Sequence, residues 1–278
     1  MVNKIAFICL LGVALMASGC QRELIVEIDN NLVQTGSVSV INKERPSSSG
    51  VLSSTAKITL PIAKEAVGLV VPKKERITIP ASFDNIVPFV SQAPLRDWSM
   101  PYQEACEEAS MISADKFLGR QGVEKNSLNK ELLDLIAWEE KNSYPIDVNA
   151  SDMVKILRDY FGIEAKLFFK PSVDLIKYEL SQGRIILVPT SGRDLGNPYF
   201  HQPGPIYHML VIRGYNGNNF ITNDVGTNTK GEAMKYNVNK LMSTIHDWNY
   251  VLGKDGMTLD EMRLGESVII VINGYLPK

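Results

Sequence analysis

His208-Met-Leu-Val-Ile-Arg-Gly-Tyr215, Asn216-Gly217 and Asn219-Phe-Ile-Thr-Asn-Asp224 follow one another in the C-terminal half of the chain. Two apolar, β-branched runs flank an Asn-Gly pair, a strong local signal for an antiparallel hairpin. Upstream, Arg184-Ile-Ile-Leu-Val-Pro189 reads as a short buried strand, and downstream Glu266-Ser-Val-Ile-Ile-Val-Ile-Asn273 adds another. Before these strands the periodicity is helical. Glu104 to Leu118 carries Ala105, Ala109, Ile112 and Phe117 on one face and stops at Gly119. Further helices are expected over Leu128 to Lys141, over about Ser151 to Tyr160 with Ser151 as N-cap, and over Val173 to Leu180 before Gly183. Helices first and antiparallel strands afterwards predict an α+β domain, its N-terminal helices packed on a C-terminal antiparallel sheet.

The hairpin also sets which side chains can meet. A loop of Tyr215 to Gly217 makes Gly214 face Asn218 and puts His208 and Asp224 on one face, about 5 Å apart. A strict two-residue Asn216-Gly217 turn sends them to opposite faces. A pairing of His208 with Asp224 therefore requires the odd loop or a bulge.

Composition narrows the class. The chain has 278 residues, 45% of them hydrophobic, enough for a substantial core. Its formal net charge is -2 with no basic block, which argues against a nucleic-acid partner. Lys4 precedes a short apolar run, Ile5 to Met16, then Ala17-Ser18-Gly19-Cys20. The run falls short of the ~20 residues that span a bilayer and has the layout of a secretory signal peptide. Its end resembles the bacterial lipobox, so Cys20 is the expected lipidation site and residues 1–19 the expected leader. The protein is then exported and lipid-anchored to the cell membrane or outer membrane, or secreted if unlipidated. Gln21 rather than Asp after Cys20 favours the outer of two membranes. Residues 20–85, with Lys43-Glu-Arg-Pro-Ser-Ser-Ser-Gly50, read as a tether and N-terminal extension, and 86–278 as the main domain.

Of three cysteines, Cys9 lies in the leader and Cys20 is the expected lipidation site, so with the leader removed and Cys20 modified Cys106 is left without a disulfide partner. It falls near the start of the first helix, where the dipole and unpaired N–H groups favour a thiolate. An imidazole nearby lowers a thiol pKa further from its ordinary ~8.5, and His208, opening a strand beside a glycine-rich loop, is the candidate. Glu107 and Glu108 would oppose ionisation if they pointed at the sulfur, and they are expected to point away or to serve as helix-start charges. The bland alternatives are a buried apolar Cys, a structural His and a turn Asp. His201, His208, His246 and Asp224 could be imagined around a metal, but no HExxH or CxxC spacing supports one, and no cofactor is expected. The loop Asn197-Pro-Tyr-Phe-His-Gln-Pro-Gly204 is placed to line a substrate cleft.

The order Val87-Pro-Phe-Val-Ser-Gln92, Glu104-Ala-Cys106-Glu-Glu-Ala-Ser110, Tyr207-His208-Met-Leu-Val-Ile-Arg-Gly-Tyr215 and Asn223-Asp224 resembles bacterial cysteine peptidases related to the bacteriocin leader-processing enzymes. The likeness runs roughly from Ile86 to Tyr250 and includes Ile245-His-Asp-Trp248. It implies a papain-like fold in which Cys106 is the nucleophile, His208 the base, Asp224 the residue orienting it, and Gln92 an oxyanion donor. Gln103 competes with Gln92 for that role. The chain departs from the family in carrying Ala105 and Glu107 beside the nucleophile, where Gly is common, and in a longer Gln-to-Cys spacing. The implied activity is a thiol peptidase acting on a peptide or protein. The rivals are a cell-wall amidase or acyl transferase with the same Cys-His chemistry, and a surface binding module without turnover.

Overall fold

The computed structural model describes residues 9–13, 24–28, 78–253 and 256–277. Most of the expected leader and tether lies outside them. Strands β1 (Cys9–Val13) and β2 (Leu24–Ile28) pair antiparallel, Cys9 opposite Ile28. The remaining elements belong to a separate unit, 79–278.

That unit is built on a seven-stranded sheet in which every pairing is antiparallel. Its strands are β3 (Ser82–Asp84), β4 (Ile163–Phe169), β5 (Ile186–Ser191), β6 (Tyr207–Asn216), β7 (Asn219–Asn223), β8 (Met234–Asn237) and β9 (Val268–Tyr275). The order across the sheet is β4-β9-β5-β6-β7-β8, and β3 pairs with the end of β6 beyond the reach of β5. The helices are α1 (Cys106–Leu118), α2 (Lys125–Lys141), α3 (Ala150–Asp159), α4 (Val173–Ser181), α5 (Gly192–Leu195), α6 (Val238–Met242) and α7 (Leu259–Met262). The α+β architecture is as expected. Strands β4 and β8 were not legible in the sequence, being only half-buried.

Helices cover both faces of the sheet. On one, Ala109, Met111 and Ile112 of α1, Leu132 and Leu135 of α2 and Met153 of α3 pack on Met209, Val211 and Ile270. On the other, Ile176 and Leu180 of α4 and Leu241 of α6 pack on Leu210, Ile212 and Val188. Burial on both faces is why β5 and the start of β6 are near-continuous apolar runs instead of alternating ones.

Two local differences from the sequence reading move functional groups. A 3-10 turn, Tyr102–Glu104, precedes α1, so the helix begins at Cys106 and not at Glu104. Helix α3 is capped by Asn149, whose side chain accepts from the Asp152 N–H, and not by Ser151. The Asn side chain is poised two residues earlier on extended backbone, which commits Ser151 to the helix.

Candidate active site

The hairpin register brings His208 and Asp224 together by a bulge. The turn is tight: Asn216 faces Asn219 and Tyr215 faces Phe220. Left unbroken, that register would put His208 and Asp224 on opposite faces. It shifts by one residue between Ile212 and Gly214, after which Ile212 faces Thr222 and Val211 faces Asn223. One unpaired residue, Arg213, flips the parity. Tyr215 accordingly joins the core on the Leu210 and Ile212 face, whereas Tyr207, Met209 and Val211 face α1.

Arg213 is held where the bulge needs it. Its guanidinium donates to Asp84 at 2.8 Å and to Asn223 Oδ1 at 3.4 Å. Gly214 lets β3 approach: a Cβ there would lie 2.3 Å from the Phe83 carbonyl oxygen. Pairing with a strand some 130 residues away thus fixes the parity of the hairpin.

His208 Nε2 lies 2.8 Å from Asp224 Oδ1, and the Gly226 N–H donates to the same oxygen at 3.2 Å. Oδ2 accepts from Asn197 Nδ2 at 2.8 Å and from the Tyr236 hydroxyl at 2.6 Å. Burial alone would raise the carboxyl of Asp224, but the His208 charge and hydrogen bond, with those of Tyr236 and Asn197, hold it below the usual carboxylate value. An ionised Asp224 makes Nε2 the protonated nitrogen and leaves Nδ1 as the basic one. Phe200 packs edge-on against the imidazole with ring centroids 5.0 Å apart.

Cys106 is the first residue of α1, and no side chain caps the helix ahead of it. Its Sγ accepts from the Met209 N–H at 3.2 Å, the peptide group that follows His208. Its S–H donates to Glu107 Oε2 at 2.9 Å. The expectation that Glu107 turns away is therefore corrected, whereas Glu108 bonds Glu139 and not the sulfur. Both are buried, because α1 is enclosed on all sides over its first turns by the sheet and helices α2 and α3. Burial, and then the charge and hydrogen bond of Glu107, push the Cys106 thiol well up, opposed by the Met209 N–H. Glu107 is itself raised well above the carboxylate range by burial, with Glu108 and Asp147 adding to the effect. Glu108 is raised to about 7, chiefly by burial, and shares a hydrogen bond with Glu139.

Gln92 is buried beside the turn that leads into Cys106. Its amide nitrogen donates to the carbonyls of Tyr102 at 2.9 Å and Gln103 at 3.0 Å, and its Oε1 has no partner among the described residues. Its backbone N–H donates to Val225, next to Asp224, at 3.0 Å. Gln103 is exposed and donates to Met100 Sδ at 3.1 Å. His201 is exposed, and His246 Nδ1 lies 3.1 Å from the Gly265 carbonyl. Among the described residues no three His, Cys, Asp or Glu side chains form a metal-ligand group. Trp248 packs on Tyr207, centroids 5.5 Å apart, as part of the α1-face core.

Sequence reasoning did not identify Tyr236 or give Asn197 a role. Tyr236 lies on β8, a strand not legible in the sequence, and nothing local marks either residue as an Asp224 partner.

A model of the Peptidase_C39 like family matches residues 85–254. Among solved structures, the crystal structure of a C39-like peptidase from Bacillus anthracis is similar, at 14% identity and a TM-score of 0.45. The match covers 70% of this chain and 99% of that one. No curated protein matches the chain.

Proposed function

Because the chain belongs to the Peptidase_C39 like family, we propose that it is an exported thiol peptidase that cleaves peptide bonds through Cys106, His208 and Asp224. The observation that carries this reading is the buried His208–Asp224 pair, 2.8 Å apart, one residue from the Met209 N–H that donates to the Cys106 sulfur at 3.2 Å. His208 Nδ1 makes no hydrogen bond among the described residues, so its lone pair is open to the thiol proton.

In the proposed cycle Nδ1 takes the Cys106 proton, and the thiolate attacks the scissile carbonyl. The Cys106 N–H and Gln92, once released from the Tyr102 and Gln103 carbonyls, hold the oxyanion. Nδ1–H then protonates the leaving amine as the C–N bond breaks. Water, losing its proton to Nδ1, releases the acyl group and restores the thiol. Asp224 keeps Nε2 protonated throughout.

Export and lipidation at Cys20 are part of the proposal and rest on the apolar run and the Ala17-Ser18-Gly19-Cys20 sequence. A domain beginning near Ile86 behind a tether of residues 20–85 then works outside the cell on peptide or protein substrates.

The test is digestion of an unbiased peptide mixture by the purified chain, reading new termini by mass spectrometry, beside Cys106→Ala and His208→Ala. New peptide termini that both substitutions abolish are expected. Cleavage of cell-wall fragments with no cleavage of peptides would reassign the site to an amidase. Turnover of neither substrate class would leave a binding module.

A further inference from the structure

Glu107 has no task in that cycle, yet it makes the closest polar contact to the nucleophile. It is fully buried, and its two oxygens join separate parts of the molecule. Oε2 accepts the Cys106 S–H at 2.9 Å, while Oε1 accepts the Val148 N–H at 3.2 Å from the segment linking α2 to α3. The Val148 carbonyl accepts in turn from the Tyr207 hydroxyl at 3.0 Å, next to His208. The side chain is thus a strut between the thiol and the α2–α3 segment.

The charges around this strut are of one sign. Glu108 shares its helix, Asp147 lies in the α2–α3 segment, and Glu104 faces Asp147 from the turn before α1. Glu139 approaches Glu108 from α2, and Asp247 faces Tyr207. His208 precedes Met209, whose N–H donates to Sγ, and its Nε2 is engaged by Asp224 at 2.8 Å. Among the described residues no Lys or Arg pairs with Glu107. A carboxylate buried without a cation takes its compensation from hydrogen-bond donors. Here those donors are the Val148 N–H and the thiol. The thiol proton is then engaged by Glu107 instead of by His208 Nδ1, and in the alkaline range, where the raised Glu107 carboxyl also ionises, a thiolate at Sγ would stand against a carboxylate.

Resting on the peptidase reading, we propose that Glu107 is a positioning residue that latches Cys106 as a neutral thiol in the resting protein. The nucleophile is armed when the α2–α3 segment carries Val148 away and the carboxyl turns from the sulfur. Arming moves one proton, from Sγ to His208 Nδ1, and needs no other reactant. A substrate seated against the α2–α3 segment would supply the displacement.

The experiment is the rate of iodoacetamide alkylation at Cys106 against pH in the full chain. The Cys106 peptide is quantified by mass spectrometry so that the other cysteines do not contribute. Wild type should show a midpoint above the ordinary thiol value of ~8.5. Glu107→Gln keeps the shape and removes the charge. It should lower the midpoint by about one unit or more, raising the rate about tenfold on the alkaline limb where the carboxyl is ionised. Adding His208→Ala should abolish that gain, because the imidazole then no longer holds the thiolate.

A wild-type midpoint at or below the ordinary thiol value overturns the latch without any variant. A folded Glu107→Gln whose midpoint is unchanged or higher also overturns it. If Glu107→Gln accelerates alkylation and His208→Ala does not reverse this, the latch stands and the Cys-His reading falls. If only His208→Ala slows alkylation, the latch falls and the Cys-His reading stands.

Discussion

Tyr236→Phe removes one oxygen from the structure and tests the clamp on Asp224. The hydroxyl donates to Oδ2 at 2.6 Å inside a site where Asp224 is fully buried. Losing one donor to a buried charge costs about 1.5–3 kcal/mol. Asn197 keeps its bond to the same oxygen, at 2.8 Å, so the lower part of that range, about 2 kcal/mol, is expected. For a domain of this size that corresponds to a Tm lower by roughly 4–8 °C at pH 7.

The effect has a pH signature. Asp224 is held below its ordinary value in the folded protein, so its stabilising contribution is fully present above the unfolded carboxylate pKa, ~3.9. It is lost as pH falls through the folded value. Removing the Tyr236 donor brings the folded value closer to the unfolded one, so the Tm gap between variant and wild type should narrow on acidification. Calorimetry on both proteins from pH 7 to pH 3 reads this directly. Equal Tm values at pH 7, or a gap that widens towards pH 3, would show that the Tyr236 hydroxyl does not hold Asp224 ionised.

Gly226→Ala places a Cβ 2.8 Å from His208 Cε1 and 2.9 Å from Phe200 Cε1, and the imidazole, pinned to Asp224, can yield only by breaking that pair. Peptidase kcat/KM should fall at least about tenfold, as expected when a catalytic group is displaced by about 1 Å; full activity would show the imidazole is not needed where it lies. Glu139 is pushed up to about 11 by burial and by Glu108, so the folded chain keeps a proton that the unfolded chain sheds above ~4.3. Stability should therefore decline as pH rises between those values, and Glu139→Gln, which carries no proton to lose, should gain at least ~3 °C in Tm over wild type at pH 8 and little at pH 4; parallel profiles would count against it. Gly214→Ala sets a Cβ against the Phe83 carbonyl oxygen at 2.3 Å, so it should detach β3, seen as faster amide exchange at Phe83 and Asp84; unchanged exchange would mean the close approach is not what requires glycine.

How much of the site was legible depends on how local each signal is. The apolar runs around Asn216-Gly217 and the helical period around Cys106 act over one turn or one strand. They predicted a sheet, a helix and a cysteine at its start with no knowledge of partners. The α+β order followed from the sequence of those periods along the chain. The pairing of His208 with Asp224 was readable only as a condition, an odd loop or a bulge.

Tertiary structure met that condition with Arg213, because contacts to Asp84 and Asn223 and the approach of β3 to Gly214 hold the extra residue. It also decided what no period encodes: that Asn197 and Tyr236 converge on Asp224, and that Glu107 points at the thiol. Charged residues at a helix start are ordinarily solvated, so the sequence reading sent Glu107 outward. The packing of α1 between sheet and helices leaves it no outward direction, and the nearest donors are the Val148 N–H and the thiol itself.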